Sequence, residues 1–172
     1  MSLYLVEFVP TAPDADRARS LLSSIAAASE LIEAQVTADH AHLFAIIEAD
    51  SAESVAGQVS GLEAAEVSEP AEVRLVGADL AEVKAARPEA GYLVEWDIPD
   101  HIDMDTYLAR KKEKSPLYAD IPEVAFLRTY VREDMGKCLC FYDAPDEDAV
   151  RRARDIVSTP VDRLHALQGI QL

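Results

Sequence analysis

Glycine is scarce in this chain. Only six are present among 172 residues, and none cluster. A phosphate-cradling loop or a dinucleotide fingerprint needs several glycines at close spacing, so neither is present and no nucleotide cofactor is expected. Cysteine is scarcer still. Cys138 and Cys140 are the only two, one residue apart, and cannot close a long loop. The chain is therefore no disulfide scaffold, and a reducing cytoplasm is the expected location. No apolar run approaches the roughly 18 residues that a membrane-crossing helix requires. Met1 to Phe8 has neither a basic n-region nor a cleavage-site pattern, so it does not read as a signal peptide. Basic side chains number 16 against 32 acidic ones, a net charge of -16. Such a surface repels a phosphate backbone, which excludes nucleic-acid binding as the main role. A nucleophile elbow and a zinc-protease motif are also absent.

The composition that remains, 49% hydrophobic and 28% charged, is that of a globular chain rather than a disordered one. Its organisation comes from a repeat. Tyr4-Leu5-Val6-Glu7-Phe8 recurs as Tyr92-Leu93-Val94-Glu95-Trp96, each followed by a proline, Pro10 or Pro99. Val36, Asp39 and Glu48-Ala49 are echoed by Val131, Asp134 and Asp143-Ala144, and Glu69-Pro70 by Thr159-Pro160. Each half reads strand, helix, strand, strand, helix, strand. In the first half, strands are expected at Ser2 to Phe8, Glu33 to Thr37, His42 to Glu48 and Glu72 to Val76. Its helices are expected from Asp14 to Ala28 and from the N-cap Ser51. In the second half, strands are expected at Tyr92 to Asp97, Val124 to Arg132, Lys137 to Asp143 and Arg163 to about Ile170. The helices are placed at about Asp103 to Tyr118, ended or kinked by Pro116, and at Pro145 to Ile156, with Pro145 in the first turn. A short helix at Asp79 to Ala86 lies in the linker. The expected domains are residues 1–78, a linker at 79–90, and residues 91–172.

This order, read twice, predicts an α+β fold made by tandem duplication of a ferredoxin-like βαββαβ unit. Packing the two sheets face to face, as in a dimeric α+β barrel, would cover the sheet faces that the helices leave open. The halves are not equal. Eight of the 11 aromatic residues, 11 of the 16 basic residues and both cysteines lie in the second half, so a pocket is expected there. The second half also resembles a group of small bacterial ferredoxin-like proteins whose named member binds nickel. The resemblance rests on Tyr92-Leu93-Val94-Glu95, on Thr129-Tyr130-Val131-Arg132-Glu133-Asp134, and on Lys137-Cys138-Leu139-Cys140-Phe141-Tyr142-Asp143-Ala144-Pro145 with the acidic run after it. It covers roughly Gly91 to Leu167, with the first half a faint copy. It implies nickel as a metal. Where that family often carries a histidine after the acidic run, this chain has Arg151-Arg152-Ala153.

Two constellations stand out. Cys138 and Cys140 share a strand face by the period of two, and either serve as core fillers or offer two soft donors. His101 and Asp103 add an imidazole and a carboxylate, although Asp103 is also a natural helix N-cap. His101, Asp103, Cys138 and Cys140 are therefore the candidate metal ligands. Trp96, Arg128, Tyr130 and Arg132 are the candidate ligand-binding set, with Arg128 and Arg132 read as facing the side opposite Tyr130. The run Arg110-Lys111-Lys112-Glu113-Lys114 is expected to spread around its helix as a solvated face, with an anion-binding lip as the other reading. A small cytoplasmic ligand- or metal-binding protein is the leading expectation, monomeric or homodimeric. A cofactor-free enzyme of the monooxygenase or isomerase type is the alternative, by analogy with the dimeric α+β barrel superfamily.

Overall fold

The computed structural model describes residues 1–86 and 90–168. Residues 87–89 of the expected linker, and the end of the last strand at Ile170, lie outside the described residues. The chain is a mixed α+β protein that divides into two compact units. Among the described residues, the first holds 1–73, 79–86 and 167–168, and the second holds 74–78 and 90–166.

In the first unit, β1 (Ser2–Val9) pairs antiparallel with β3 (Leu43–Ala49), from Ser2 opposite Ala49 to Phe8 opposite Leu43. β2 (Glu30–Thr37) lies on the far side of β3. Two short strands, β4 (Glu66–Val67) and β5 (Ala71–Val76), continue the other edge of β1. Only β5 was expected. β4 consists of two exposed residues, too few for an alternating pattern to show. Helices α1 (Ala15–Ala28) and α2 (Ala52–Val59) cover one sheet face. Both begin at side-chain caps: Asp14 accepts from the Arg17 N–H and Ser51 from the Ser54 N–H. The helix face Ala18-Leu21-Leu22-Ile25 meets Val6, Phe8, Leu43, Ala45 and Ile47, all buried. Truncating one of these, such as Ile25→Ala, costs about 2–5 kcal/mol by the cavity it leaves. α3 (Leu80–Ala86), expected in a linker, belongs to this first unit, with Val83 buried and Lys84 paired to Glu48.

The second unit repeats the order. β6 (Tyr92–Asp97) is flanked by β8 (Lys137–Asp143) and β9 (Arg163–Gln168), and β7 (Ala125–Arg132) lies beyond β8. α4 (Met104–Lys114) runs into a 3₁₀ turn, Ser115–Asp120, that holds Pro116 near its start. The missing N–H and fixed φ of proline suit that change of winding. α5 (Glu147–Ile156) starts two residues later than expected, because Asp146 is its N-cap, accepting from the Ala149 N–H at 2.8 Å. Pro145 therefore precedes the cap instead of occupying the first turn.

Sheet parity decides which side chains meet the helices. In an antiparallel sheet, directly paired residues point to the same face. Trp96 and Val131 both pair with Cys138 and face the helices with it, as do Val94, Cys140 and Tyr142. Glu95, Leu139 and Tyr130 point to the other face. A bulge in β7 between Phe126 and Arg128 shifts the count. It turns Phe126 toward the helices beside Tyr142, while Arg128 points away from them.

Candidate active site: a thiol-floored cationic cleft

The second unit contains a small cleft, partly open to solvent, between its sheet, α4 with the following turn, and the end of α5. Its floor is Cys138 and Cys140 of β8, with Trp96 of β6 beside them. One wall is a helical stripe. Tyr107, Arg110, Lys111 and Lys114 line the cleft at i, i+3, i+4 and i+7, the spacing that brings residues to one helix face. The opposite wall carries Arg154 from α5, with Val157 and Thr159 after it.

The electrostatics are unusual for so acidic a protein. Arg110, Lys111, Lys114 and Arg154 all line the cleft, and no carboxylate does. None of the four makes an ion pair with Asp or Glu among the described residues. Lys111 sits over the Phe126 ring at 4.4 Å and Arg110 over the Trp96 ring at 5.7 Å, so aromatic faces stand where counter-ions would. Arg110 also donates to the carbonyl of Ser158, a residue at φ 54°.

Arg154 is 2% exposed. It donates to Tyr142 Oη at 3.1 Å and to the Pro160 carbonyl at 2.8 Å. Its Nε and the hydroxyl of Tyr107 are both buried with no hydrogen-bond partner. A buried donor left unmade costs about 1–3 kcal/mol, more for a charged group. Two such groups lining one cleft indicate a binding surface rather than a finished core.

The sulfurs form a coupled pair. Cys138 Sγ and Cys140 Sγ are 3.9 Å apart. Thr129 Oγ1 donates to Cys140 Sγ at 3.2 Å, and Lys111 Nζ stands 4.0 Å from it. The hydrogen bond from Cys138 holds the Cys140 thiol well below its ordinary range. Burial opposes the shift, and the charges of Lys111 and Arg154 reinforce it. The same bond, with burial, pushes Cys138 up. Burial is also the main reason the Tyr107 and Tyr118 hydroxyls are raised.

The expected site residues separate. Trp96, Cys138 and Cys140 meet at this cleft. Arg128, Tyr130 and Arg132 do not line it, and the expectation that the arginines oppose Tyr130 is corrected. Positions 128, 130 and 132 differ by even steps with no bulge between 128 and 131, so they share a face, the one opposite Trp96. Arg128 and Tyr130 both pack on the Phe141 ring, at 5.0 and 5.9 Å. Arg132 forks onto Asp134. The four proposed metal ligands do not converge either. His101 and Asp103 are exposed ahead of α4, where Asp103 caps the helix through the Thr106 N–H at 2.8 Å, while the cysteines are buried. Among the described residues, no group of three or more His, Cys, Asp or Glu side chains is placed to hold a metal. The basic run of α4 lines the cleft through Arg110, Lys111 and Lys114, in keeping with its reading as an anion-binding lip, whereas Arg154 was not singled out from the sequence. The i, i+3, i+4, i+7 spacing from Tyr107 was the available signal for that lip.

Residues 92–167 match the family model described as nickel responsive protein SCO4226-like. The match takes in every cleft residue but less than half of the chain. No curated protein matches in sequence. Solved structures match over nearly the whole chain. A chlorite dismutase-like protein aligns with a TM-score of 0.54 at 14% identity, covering 98% of this chain and 96% of its own. A monooxygenase-like protein from Lactobacillus acidophilus NCFM aligns at 0.53 and 10% identity, covering 98% and 94%. An anthrone oxidase-like protein aligns at 0.50 and 12%, covering 98% and 92%. At these identities the likeness is one of fold: the α+β class of the dimeric α+β barrels, as the repeat predicted.

Proposed function

We propose that this protein binds a small organic anion with a flat body in the cleft of its second unit. The observation that carries the reading is Arg154, a buried cation with no carboxylate partner and an unmade Nε–H bond, in a cleft shared with Lys111, Lys114 and Arg110. A carboxylate or similar group would supply the missing counter-charge and accept from Arg154 Nε and the Tyr107 hydroxyl. Trp96, Tyr107 and Tyr118 offer apolar surface for the rest of the molecule.

Nickel is the second reading, and the family match supports it. The residues fit it poorly. Cys138 and Cys140 are two soft donors, short of the roughly four ligands of a closed thiolate site, and Lys111 and Arg154 beside them repel a divalent cation. We therefore derive no chemistry through a metal.

Trp96 is the sole tryptophan, so its fluorescence reports the cleft directly. Titration with benzoate is expected to give a saturable change, and neutral benzamide a response weaker by about tenfold or more. Absence of a saturable benzoate response overturns the anion reading. Stoichiometric nickel retained after desalting, and lost in a Cys138→Ala, Cys140→Ala variant, establishes the metal reading in its place.

A further inference from the structure

Binding alone leaves the two sulfurs of the floor without a task. Cys140 Sγ is approached from several elements: Cys138 on its own strand, Thr129 on β7, and Lys111 on α4. Arg154 on α5 and the hydroxyls of Tyr107, Tyr118 and Tyr142 complete the titratable groups whose charges act across this pocket. No carboxylate lines it. Both nearby charges are positive, and Thr129 donates. This is the electropositive, hydrogen-bonded surrounding in which a thiolate persists. Thr129 Oγ1 and Lys111 Nζ both reach Cys140 Sγ, and the two sulfurs lie 3.9 Å apart, so the donors favour the negative charge of the pair on Cys140 and leave Cys138 as the neighbouring S–H.

We propose that Cys140 is a thiolate nucleophile toward small carboxylates that carry an electrophilic carbon, with Cys138 as its proton partner. The proposal rests on the anion reading, because Arg154 and Lys111 must hold the carboxylate. The step that needs no co-reactant is conjugate addition to an α,β-unsaturated acid. A Cys140 Sγ lone pair forms the bond to the β-carbon, the π pair moves to the α-carbon, and the Cys138 S–H delivers a proton there, leaving Cys138 as the thiolate. Rotation about the new Cα–Cβ single bond followed by reversal returns the acid and both sulfurs to their starting states. The dyad thus interconverts cis and trans acids with no net oxidation or reduction.

The test uses iodoacetate and iodoacetamide on the folded protein, with the modified residue located by peptide mass. In both reactions the Cys140 S–C bond forms as the C–I bond breaks and iodide leaves with its bonding pair. Iodoacetate is expected to modify Cys140 faster than iodoacetamide by about tenfold, the reverse of the order at an exposed thiolate. The rate is expected to rise with pH less steeply than that of a thiol of ordinary pKa, which gains about tenfold per unit below its pKa. Cys138→Ala keeps Cys140 as the modified residue and moves its pH profile upward, a change that loss of packing alone does not produce. Cys140→Ser abolishes the label. A Cys140 that stays unmodified in the folded protein, or that reacts with the pH profile of an ordinary thiol, overturns the proposal. Benzoate binding together with an inert Cys140 removes this inference alone. A reactive Cys140 with no preference for the anion removes the anion cleft and the substrate class with it.

Discussion

The two faces of the β6–β8–β7 sheet treat charge in opposite ways. On the face away from the helices, Glu95 is 3% exposed and fully answered. Lys137 Nζ lies 2.6 Å from it, Arg163 Nε 2.9 Å, and His165 Nε2 2.8 Å. Arg163 extends the network by forking onto Asp97. On the helix face, Arg154 is buried as deeply, yet its Nε has no partner and no acid lines its cleft. Burial is therefore not what separates structure from site. Completeness of pairing is: a network that satisfies every member stabilises the fold, whereas one left open is held ready for a ligand.

The largest effect expected from this contrast is at Glu95. Glu95→Gln leaves Lys137 and Arg163 without their shared counter-charge, and is expected to lower stability by about 3–5 kcal/mol in urea denaturation. The benzoate response of the folded protein is expected to stay unchanged. Acid titration probes the same face. Burial pushes the Glu95 carboxyl up, but the bonds from His165 and Lys137 and the charges of Lys137 and Arg163 outweigh it and hold it at about 2, against 4.5 for an ordinary glutamate. The folded value is the lower one, so this contribution is complete above pH 4.5 and is lost as pH falls toward 2. The loss of about 3 kcal/mol is readable as a falling unfolding midpoint.

Arg154→Met is the matching experiment on the other face. Replacing an incompletely paired cation by an apolar chain of similar length is expected to change stability by about 1 kcal/mol at most, while weakening benzoate by about tenfold. A stability loss as large as that of Glu95→Gln would erase the distinction between the faces. Tyr107→Phe gives the smallest change. Removing a buried hydroxyl that has no partner is expected to leave stability level or raise it by about 1 kcal/mol. Benzoate affinity is expected to fall by a few-fold, because the hydroxyl's acceptor comes from the ligand.

Much of the fold was legible because its signals are local and repeated. The Tyr-Leu-Val-Glu echo marks β1 and β6, the caps Ser51 and Asp103 mark two helix starts, and Pro116 marks the end of α4. The site was legible in part. Cys138 and Cys140 share a face by simple alternation, and the excess of aromatic and basic residues lies in the half that holds the cleft. Trp96 does belong to the cleft, but Arg128 and Tyr130, with which it was grouped, lie through the sheet from it. The four candidate metal ligands lie apart for a related reason. His101 and Asp103 are close to the helix start in sequence, but nothing in sequence distance says whether a loop folds over a floor or turns outward to solvent.

The sequence by itself determined the periodicities: which residues alternate, which recur every third and fourth position, where helices begin, and that the βαββαβ order occurs twice. Those depend on backbone geometry and need no long-range information. Tertiary structure alone decided which faces meet. One bulge before Arg128 moved Phe126 to the side of Tyr142. The crossing of α4 and α5 over β8 brought Lys111 and Arg154 to Cys140 from opposite walls. Neither can be read from spacing, because each depends on how distant segments pack, and that packing turns a basic run and two small core residues into a cleft with unmet charge.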